Sequence, residues 1–202
     1  MKRVAKIRRD SDDLDQRLAG YVLANRINDM TARPDSKRFQ RYLSLVRDQW
    51  RDEPVTDPLD EYREKARLMT PNALDRYERE HGVTLVRDRL FFYEDPDVKV
   101  AALPDAIEPP WIGITVHCRR SLRTWQKAEK DGITNAMERH AQAMMLVTGR
   151  KHWIHLNYFE SPDQTRFELS DHLSNHDRRH AADLEESMLS FLLKTRRKDL
   201  NQ

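Results

Sequence analysis

The sequence predicts an α+β fold that is predominantly helical, with a helical N-terminal layer, a small central antiparallel or mixed β-sheet and a long C-terminal helix. Apolar residues recur at helical spacing in the first part of the chain, extended runs follow, and helical spacing returns near the C-terminus. The 202-residue chain is 38% hydrophobic and 35% charged. That balance is lean in hydrophobic residues and rich in charge, but four Trp, six Phe and six Tyr argue against disorder and favour a globular protein with solvated helix faces.

Two helices are predicted at the start of the chain. Ser11 begins an N-cap region, and an apolar face follows as far as about Met30. This face consists of Leu14, Leu18, Tyr21, Val22, Ala24 and Ile27. Pro34 ends the pattern, and Asp35 caps a second helix. The buried side of the second helix is marked by Phe39, Tyr42, Leu43, Leu45, Val46 and Trp50.

The middle of the chain changes from helical to extended patterns. A polar linker is predicted at residues 53–58, and Thr70 with Pro71 starts a short helix that ends near Gly82. Runs rich in β-branched and aromatic residues then predict strands. These strands lie at residues 83–93, 98–103, 111–116 and 149–159. Alternation in the last of them places His152 and His155 on opposite faces.

The predicted domain organisation is a basic flexible arm at residues 1–10 followed by a single α+β domain at 11–202. A subdomain boundary near residues 104–110, where prolines punctuate the chain, is the alternative. Cys118 is the only cysteine, so neither an intrachain disulfide nor a cysteine zinc cluster is expected. No apolar run is long enough to span a bilayer, which favours a cytoplasmic protein without membrane partners.

Positive charge is concentrated in two places. Residues 1–9 carry five Lys/Arg and no acid, and residues 117–151 carry eight Lys/Arg against three Asp/Glu. Such patches attract the phosphates of DNA or RNA. The predicted nucleic-acid-binding residues are Arg119, Arg120, Arg123, Lys127, Arg139, Arg150 and Lys151, together with Arg8 and Arg9 in the arm, where Lys2, Arg3 and Lys6 add charge.

Two helices joined by a tight turn are predicted between Ser121 and Val147. Asp131 and Gly132 make the turn, and Thr134 caps the second helix. Its packed side consists of Met137, Ala141, Met144 and Met145. One interpretation is a helix-turn-helix unit that places the second helix in a major groove. The favoured interpretation is an ordinary helical hairpin with a solvated basic side.

Histidines occur at every fourth position near the C-terminus, at His172, His176 and His180. If all three lay on one helix, the outer two would be about 12 Å apart, too far for one metal ion. His176 and His180 could share an ion with a third ligand from Asp171, Asp183, His140 or His155. The favoured alternative is a seam of partly buried histidines that makes the packing of the C-terminal helix sensitive to pH.

These observations lead to three functional hypotheses. The first is a nucleic-acid-associated accessory or regulatory protein that binds the phosphate backbone through the basic cluster. The second is a protein-interaction or assembly module without nucleic-acid affinity, acting on a protein partner or as a homo-oligomer. The third is a metal-dependent hydrolase using His176 and His180. No glycine-rich phosphate loop or nucleophile motif is found, so no cofactor is predicted and a non-enzymatic role is favoured.

Overall fold

The structure is a computed structural model that describes residues 2–6, 13–18, 20–50, 60–95 and 98–196. Over these residues the chain is a mixed α/β protein with two four-stranded sheets, which we call sheet A and sheet B. The prediction of a predominantly helical fold with one small sheet was therefore wrong. Strand pairing joins segments far apart in the chain, and local sequence patterns do not report such pairing.

Sheet A has the strand order β1-β3-β4-β2. Its strands are β1 (Lys2–Lys6), β2 (Val22–Leu23), β3 (Arg89–Asp95) and β4 (Val98–Ala102). β3 pairs antiparallel with β1 and β4, whereas β2 is parallel to β4. Residues 2–6, which were predicted to belong to a flexible arm, thus form a paired strand. The division of the whole chain into domains stays a prediction.

Sheet B has the strand order β5-β6-β7-β8. Its strands are β5 (Ala106–Glu108), β6 (Ile112–Cys118), β7 (His152–Glu160) and β8 (Phe167–Asn175). β6 and β7 are parallel, and the other two pairs are antiparallel. Parallel neighbours need a crossover connection. Here the crossover consists of α5 (Leu122–Asp131) and α6 (Asn135–Thr148).

The remaining helices are α1 (Asp13–Leu18), a 3₁₀ turn (Ala24–Arg26), α2 (Ile27–Met30), α3 (Lys37–Trp50), α4 (Asp60–His81) and α7 (Arg178–Arg196). The first predicted helix is broken because Gly20 has a φ of 80°, which separates α1 from β2. α4 continues through Pro71 and is longer than predicted. The predicted linker at 53–58 lies outside the described residues.

α6 lies between the two sheets. It contacts β3 and β4 of sheet A, β7 and β8 of sheet B, and also α2 and α7. Its side chains from Ala141 to Met145 are buried, with Met144 and Met145 in the main hydrophobic core. Because most of α6 packs against both sheets and only its first turn at Asn135 and Ala136 is exposed, the favoured interpretation of an ordinary helical hairpin fits the structure better than a helix-turn-helix unit. No helix in the described ranges has the length and apolar character to cross a membrane.

Candidate functional site in a polar layer on sheet B

The two faces of sheet B differ in chemistry. Ile114, Ile154 and Leu156 lie on one face and pack against Leu74 and Tyr77 of α4. Because side chains alternate along a strand, the intervening residues point the other way, under α5 and α6. We call this second face the polar layer. It consists of Gly113, Thr115 and His117 on β6, Trp153, His155 and Asn157 on β7, and Ser170, His172 and Ser174 on β8.

Several polar side chains of this layer are fully covered. His155 and Asn157 have no exposed surface, and Ser174 is 3% exposed. Thr115 and His117 are half-buried. A buried polar group destabilises a fold unless it has hydrogen-bond partners. The buried side chains of the polar layer must therefore bond to one another or to a bound partner, and the second possibility makes the layer a candidate functional site.

A directional chain of hydrogen bonds fixes one histidine. Nε1 of Trp153 donates to Oγ1 of Thr115 over 3.0 Å, and that hydroxyl lies 3.1 Å from Nε2 of His140 on α6. His140 also makes a hydrogen bond with the backbone of Asn25. A neutral imidazole has one donor and one acceptor nitrogen. The bond with Asn25 raises the pKa of His140, so the imidazole is its donor; with Nδ1 as that donor, Nε2 accepts from the Thr115 hydroxyl.

A second contact joins two histidines directly. Nε2 of His117 lies 3.1 Å from Nδ1 of His155, and the ring centroids are 5.3 Å apart. Burial, and then the neighbouring imidazoles, lower the pKa of His155 to about 3 and hold the pKa of His117 well below its ordinary value. Burial also lowers the pKa of His140 to about 4, against the opposing effect of Asp105. All three rings are consequently neutral at pH 7.

A carboxylate and a guanidinium flank these histidines. Oδ2 of Asp105 accepts a hydrogen bond of 2.7 Å from the backbone N–H of Val116, which ties the carboxylate to β6. Arg119 follows the end of β6, and its guanidinium donates to Oδ1 of Asn157. Arg119 is half-buried, so its charge lies against the polar layer and not only on the surface.

The predicted basic cluster is divided by the fold. Arg119, Arg120, Arg123 and Lys127 lie at the end of β6 and on α5, and the last three are exposed. Arg150 and Lys151 precede β7, which is parallel to β6, so they lie at the opposite end of the strand pair. The fold therefore brings only part of the predicted basic cluster together.

The other predicted basic residues have local contacts. The Arg150 guanidinium donates to the carbonyl of Pro110, and burial lowers its pKa. Nζ of Lys151 lies 4.5 Å from the ring centroid of Trp111. Nε of Arg139 donates to Oδ1 of Asn28 over 3.0 Å. Arg8 and Arg9 lie outside the described residues.

The three C-terminal histidines do not share a helix. His172 lies on β8 opposite His155, whereas His176 is exposed in the connection to α7 and His180 is in the first turn of α7. The prediction of one continuous helical seam was therefore wrong. Within the ranges that the structure describes, no group of three or more His, Cys, Asp or Glu residues is placed to hold a metal ion.

Sequence reasoning missed most residues of the polar layer. Alternation along β7 does place Trp153, His155 and Asn157 on one face. Alternation cannot say that this face is covered by α5 and α6, because the covering depends on tertiary packing. The sequence did not place Ser170 and His172 in the same layer, because the four-residue spacing of His172, His176 and His180 indicated a helix.

No protein-family model matches the chain, and no curated protein matches its sequence. Solved structures of similar fold do exist. The alkaline exonuclease LHK-Exo from Laribacter hongkongensis is 19% identical, with a TM-score of 0.74 over 93% of this chain and 94% of that chain. The same exonuclease in complex with dAMP gives a TM-score of 0.75, also at 19% identity and with the same coverage.

A phage-related exonuclease from Haemophilus somnus 129PT is 12% identical. Its TM-score is 0.60, over 90% of this chain and 96% of that chain. At such identities the likeness is one of fold, because a fold hosts more than one function.

Proposed function

We propose that this chain is a nucleic-acid-binding protein that contacts the phosphate backbone at the end of sheet B where β6 finishes. The observation that supports this most is the fold that it shares with LHK-Exo over 93% of its length, in a structure that includes a complex with the nucleotide dAMP. The accessory or regulatory role predicted from the sequence belongs to the same proposal.

The charges at this end of sheet B support the proposal. Arg120, Arg123 and Lys127 are exposed, and they follow directly on the half-buried Arg119. They also lie in and before the first turns of α5, where the helix N-terminus adds partial positive charge. Phosphate oxygens are the natural partners of such a surface. Contacts to phosphate carry no direct sequence information, so we expect binding that does not depend on base sequence.

The test is fluorescence anisotropy with labelled duplex DNA, single-stranded DNA and RNA over a salt series. The variant is Arg120→Ala/Arg123→Ala/Lys127→Ala, and Arg33→Ala/Lys37→Ala/Arg79→Ala is the control with the same change in charge at other exposed positions. We expect binding to weaken with salt and the first triple variant to lower the salt slope by about two to three units. Absence of binding at low salt would overturn the proposal, and a stable oligomer without affinity would favour the protein-interaction alternative.

A second candidate function is hydrolysis of phosphodiester bonds. It is favoured by the exonuclease-like fold together with the neutral imidazole pair of His117 and His155. A neutral imidazole can accept a proton from an attacking water, but the lowered pKa values of His117 and His155 make both rings weak bases, so this candidate stays second. The test is release of nucleotides from end-labelled DNA and RNA, with and without added divalent cations, by wild type and His117→Gln. Equal cleavage by both proteins, or none by either, would remove this candidate.

A further inference from the structure

Five buried polar atoms without a hydrogen-bond partner belong to α5 and to the two polar-layer strands that α5 contacts, β7 and β8. They are Nε2 of His155, Nδ2 of Asn157, Oγ of Ser170, Nε2 of His172 and Nε1 of Trp125. The strand register explains why four of them are neighbours, since His155 lies opposite His172 and Asn157 lies opposite Ser170.

The fifth atom, Nε1 of Trp125, belongs to α5, which packs over the two strands. It contacts both β7 and β8, and Oε2 of Glu129 lies 3.7 Å from Nε2 of His172, beyond hydrogen-bond distance. Trp125 is one helical turn before Glu129 and therefore faces the same two strands. We call the region between α5 and strands β7 and β8 that these five residues line the α5 site.

The concentration of these atoms is what points to a ligand. Nearly all buried polar atoms in proteins have a hydrogen-bond partner. Elsewhere in the described part of the chain, the buried Nε atoms of Arg41, Arg47 and Arg150 lie one to a side chain and do not form such a group. Asn157 and His155 have no exposed surface at all. Leaving several such groups unpaired would be strongly destabilising, so a polar partner is expected in the α5 site.

Three of the five atoms require or can use a hydrogen-bond acceptor. Nδ2 of Asn157 and Nε1 of Trp125 can only donate hydrogen bonds, and the hydroxyl of Ser170 can donate as well. Oδ1 of Asn157 is already occupied by the Arg119 guanidinium, which brings a positive charge beside the site. A partner with several acceptor oxygens and a negative charge satisfies these groups together.

We propose that the α5 site binds a phosphate group, which enters at the end of β6 beside Arg119 and accepts hydrogen bonds from Asn157, Ser170 and Trp125. The phosphate is either free inorganic phosphate or the phosphate of a nucleotide or nucleic-acid strand. The second source rests on the proposed function, whereas the binding of the phosphate group does not.

Two serines on the same face of β8 provide a matched test. Oγ of Ser170 has no partner, whereas Oγ of Ser174 donates to Oε2 of Glu138 over 2.7 Å. Inorganic phosphate is titrated into wild type, Ser170→Ala and Ser174→Ala by calorimetry, at constant ionic strength set with chloride. We expect saturable binding by wild type and Ser174→Ala, and a dissociation constant about tenfold higher for Ser170→Ala.

The results that would overturn the proposal are equally specific. Water alone in the α5 site predicts no saturable binding of phosphate to the wild type. An equal dissociation constant for Ser170→Ala and Ser174→Ala would place any bound phosphate elsewhere. Should Ser170→Ala fail to fold, Trp125→Phe removes a different donor of the same site, and unchanged phosphate binding by that variant would also overturn the proposal.

Further titrations distinguish the sources of phosphate. A nucleoside monophosphate is compared with a dinucleoside monophosphate that has only its internal diester, and duplex DNA is followed by anisotropy with the same serine variants. Nucleic-acid binding without phosphate binding would overturn the α5 site and leave the proposed function intact. Phosphate binding by a protein that binds no nucleic acid would do the reverse.

Discussion

Nε2 of His117 and Nδ1 of His155 lie 3.1 Å apart, with an angle of 28° between the two rings. One nitrogen of this pair must be unprotonated for the other to donate to it. The contact therefore exists only while at least one ring is neutral, and protonation of both rings would replace a hydrogen bond by repulsion.

We expect the free energy of unfolding to fall as the pH is lowered below about 6.5. The pKa of His140 is lowered to about 4 and that of His155 to about 3. Between these values and the unfolded pKa, the unfolded chain therefore binds more protons than the folded chain. Their contribution to stability is complete above the unfolded pKa of about 6.5 and is lost as the pH falls towards the folded values. Each such histidine contributes a slope of up to about 1.4 kcal/mol per pH unit. Urea unfolding between pH 8 and pH 5 measures this slope.

A pair of variants isolates the histidines from the carboxylates. His140→Gln removes one buried imidazole and should flatten the pH dependence, whereas His176→Gln changes an exposed histidine and should leave it as in wild type. Identical slopes for the two variants would show that the buried ring does not govern the acid sensitivity.

Gly113→Ala should destabilise the protein by about 2 to 3 kcal/mol, because overpacking forces strained side chains or a shift of the backbone. A Cβ at position 113 would lie 2.1 Å from the nearest ring atom of Trp153. Chemical denaturation of Gly113→Ala, Trp153→Leu and the double variant gives the coupling between the two sites. The double variant should lose clearly less unfolding free energy than the two single variants lose in sum. Simple additivity would contradict the proposed clash.

Gln142→Met should destabilise the protein by about 3 kcal/mol. Gln142 is fully buried on α6; its Nε2 donates to the carbonyl of Asn175 over 2.6 Å, and its Oε1 accepts from the N–H of Asp177 over 2.9 Å. A methionine of similar size would leave both backbone groups without a partner. Gln126→Met, at an exposed position on α5, is the control and should change the unfolding midpoint little.

Cys118 should react slowly with alkylating reagents in the native state. Burial raises the pKa of its thiol to about 11, and Sγ lies 3.5 Å from the carbonyl of Ala66. At pH 8 about one thiol in a thousand is then ionised, and the thiolate is the reactive form. We expect alkylation by iodoacetamide at least about 100-fold slower in native buffer than in urea. Similar rates would mean that the thiol is accessible.

The sequence predicted the elements whose patterns are local. The second predicted helix corresponds to α3, the strand predictions at 111–116 and 149–159 fall on β6 and β7, and the C-terminal helix is α7. β8 was missed because its histidines repeat with a helical period, while its backbone is extended by pairing with β7. The basic residues of β1 likewise gave no sign of its pairing with β3. Strands of this kind are defined by their partners.

The same reasoning explains what was missed in the site. The basic residues were visible in the sequence, but the fold separates Arg119 from Arg150. The α5 site depends on Nδ2 of Asn157 and Oγ of Ser170, which matter because neither atom has a hydrogen-bond partner. Such a property exists only in three dimensions.

The parallel pairing of β6 and β7 sets the minimum length of a nucleic acid that can contact the basic residues at both ends of these strands. In the parallel register Lys151 is level with position 111, eight residues before Arg119, which at about 3.3 Å per residue separates the two by about 26 Å along the strands. With a rise of about 3.4 Å per base pair, a duplex needs about eight base pairs to cover that distance. Shorter duplexes can occupy one end only, so affinity should rise in a step as the duplex length passes this threshold.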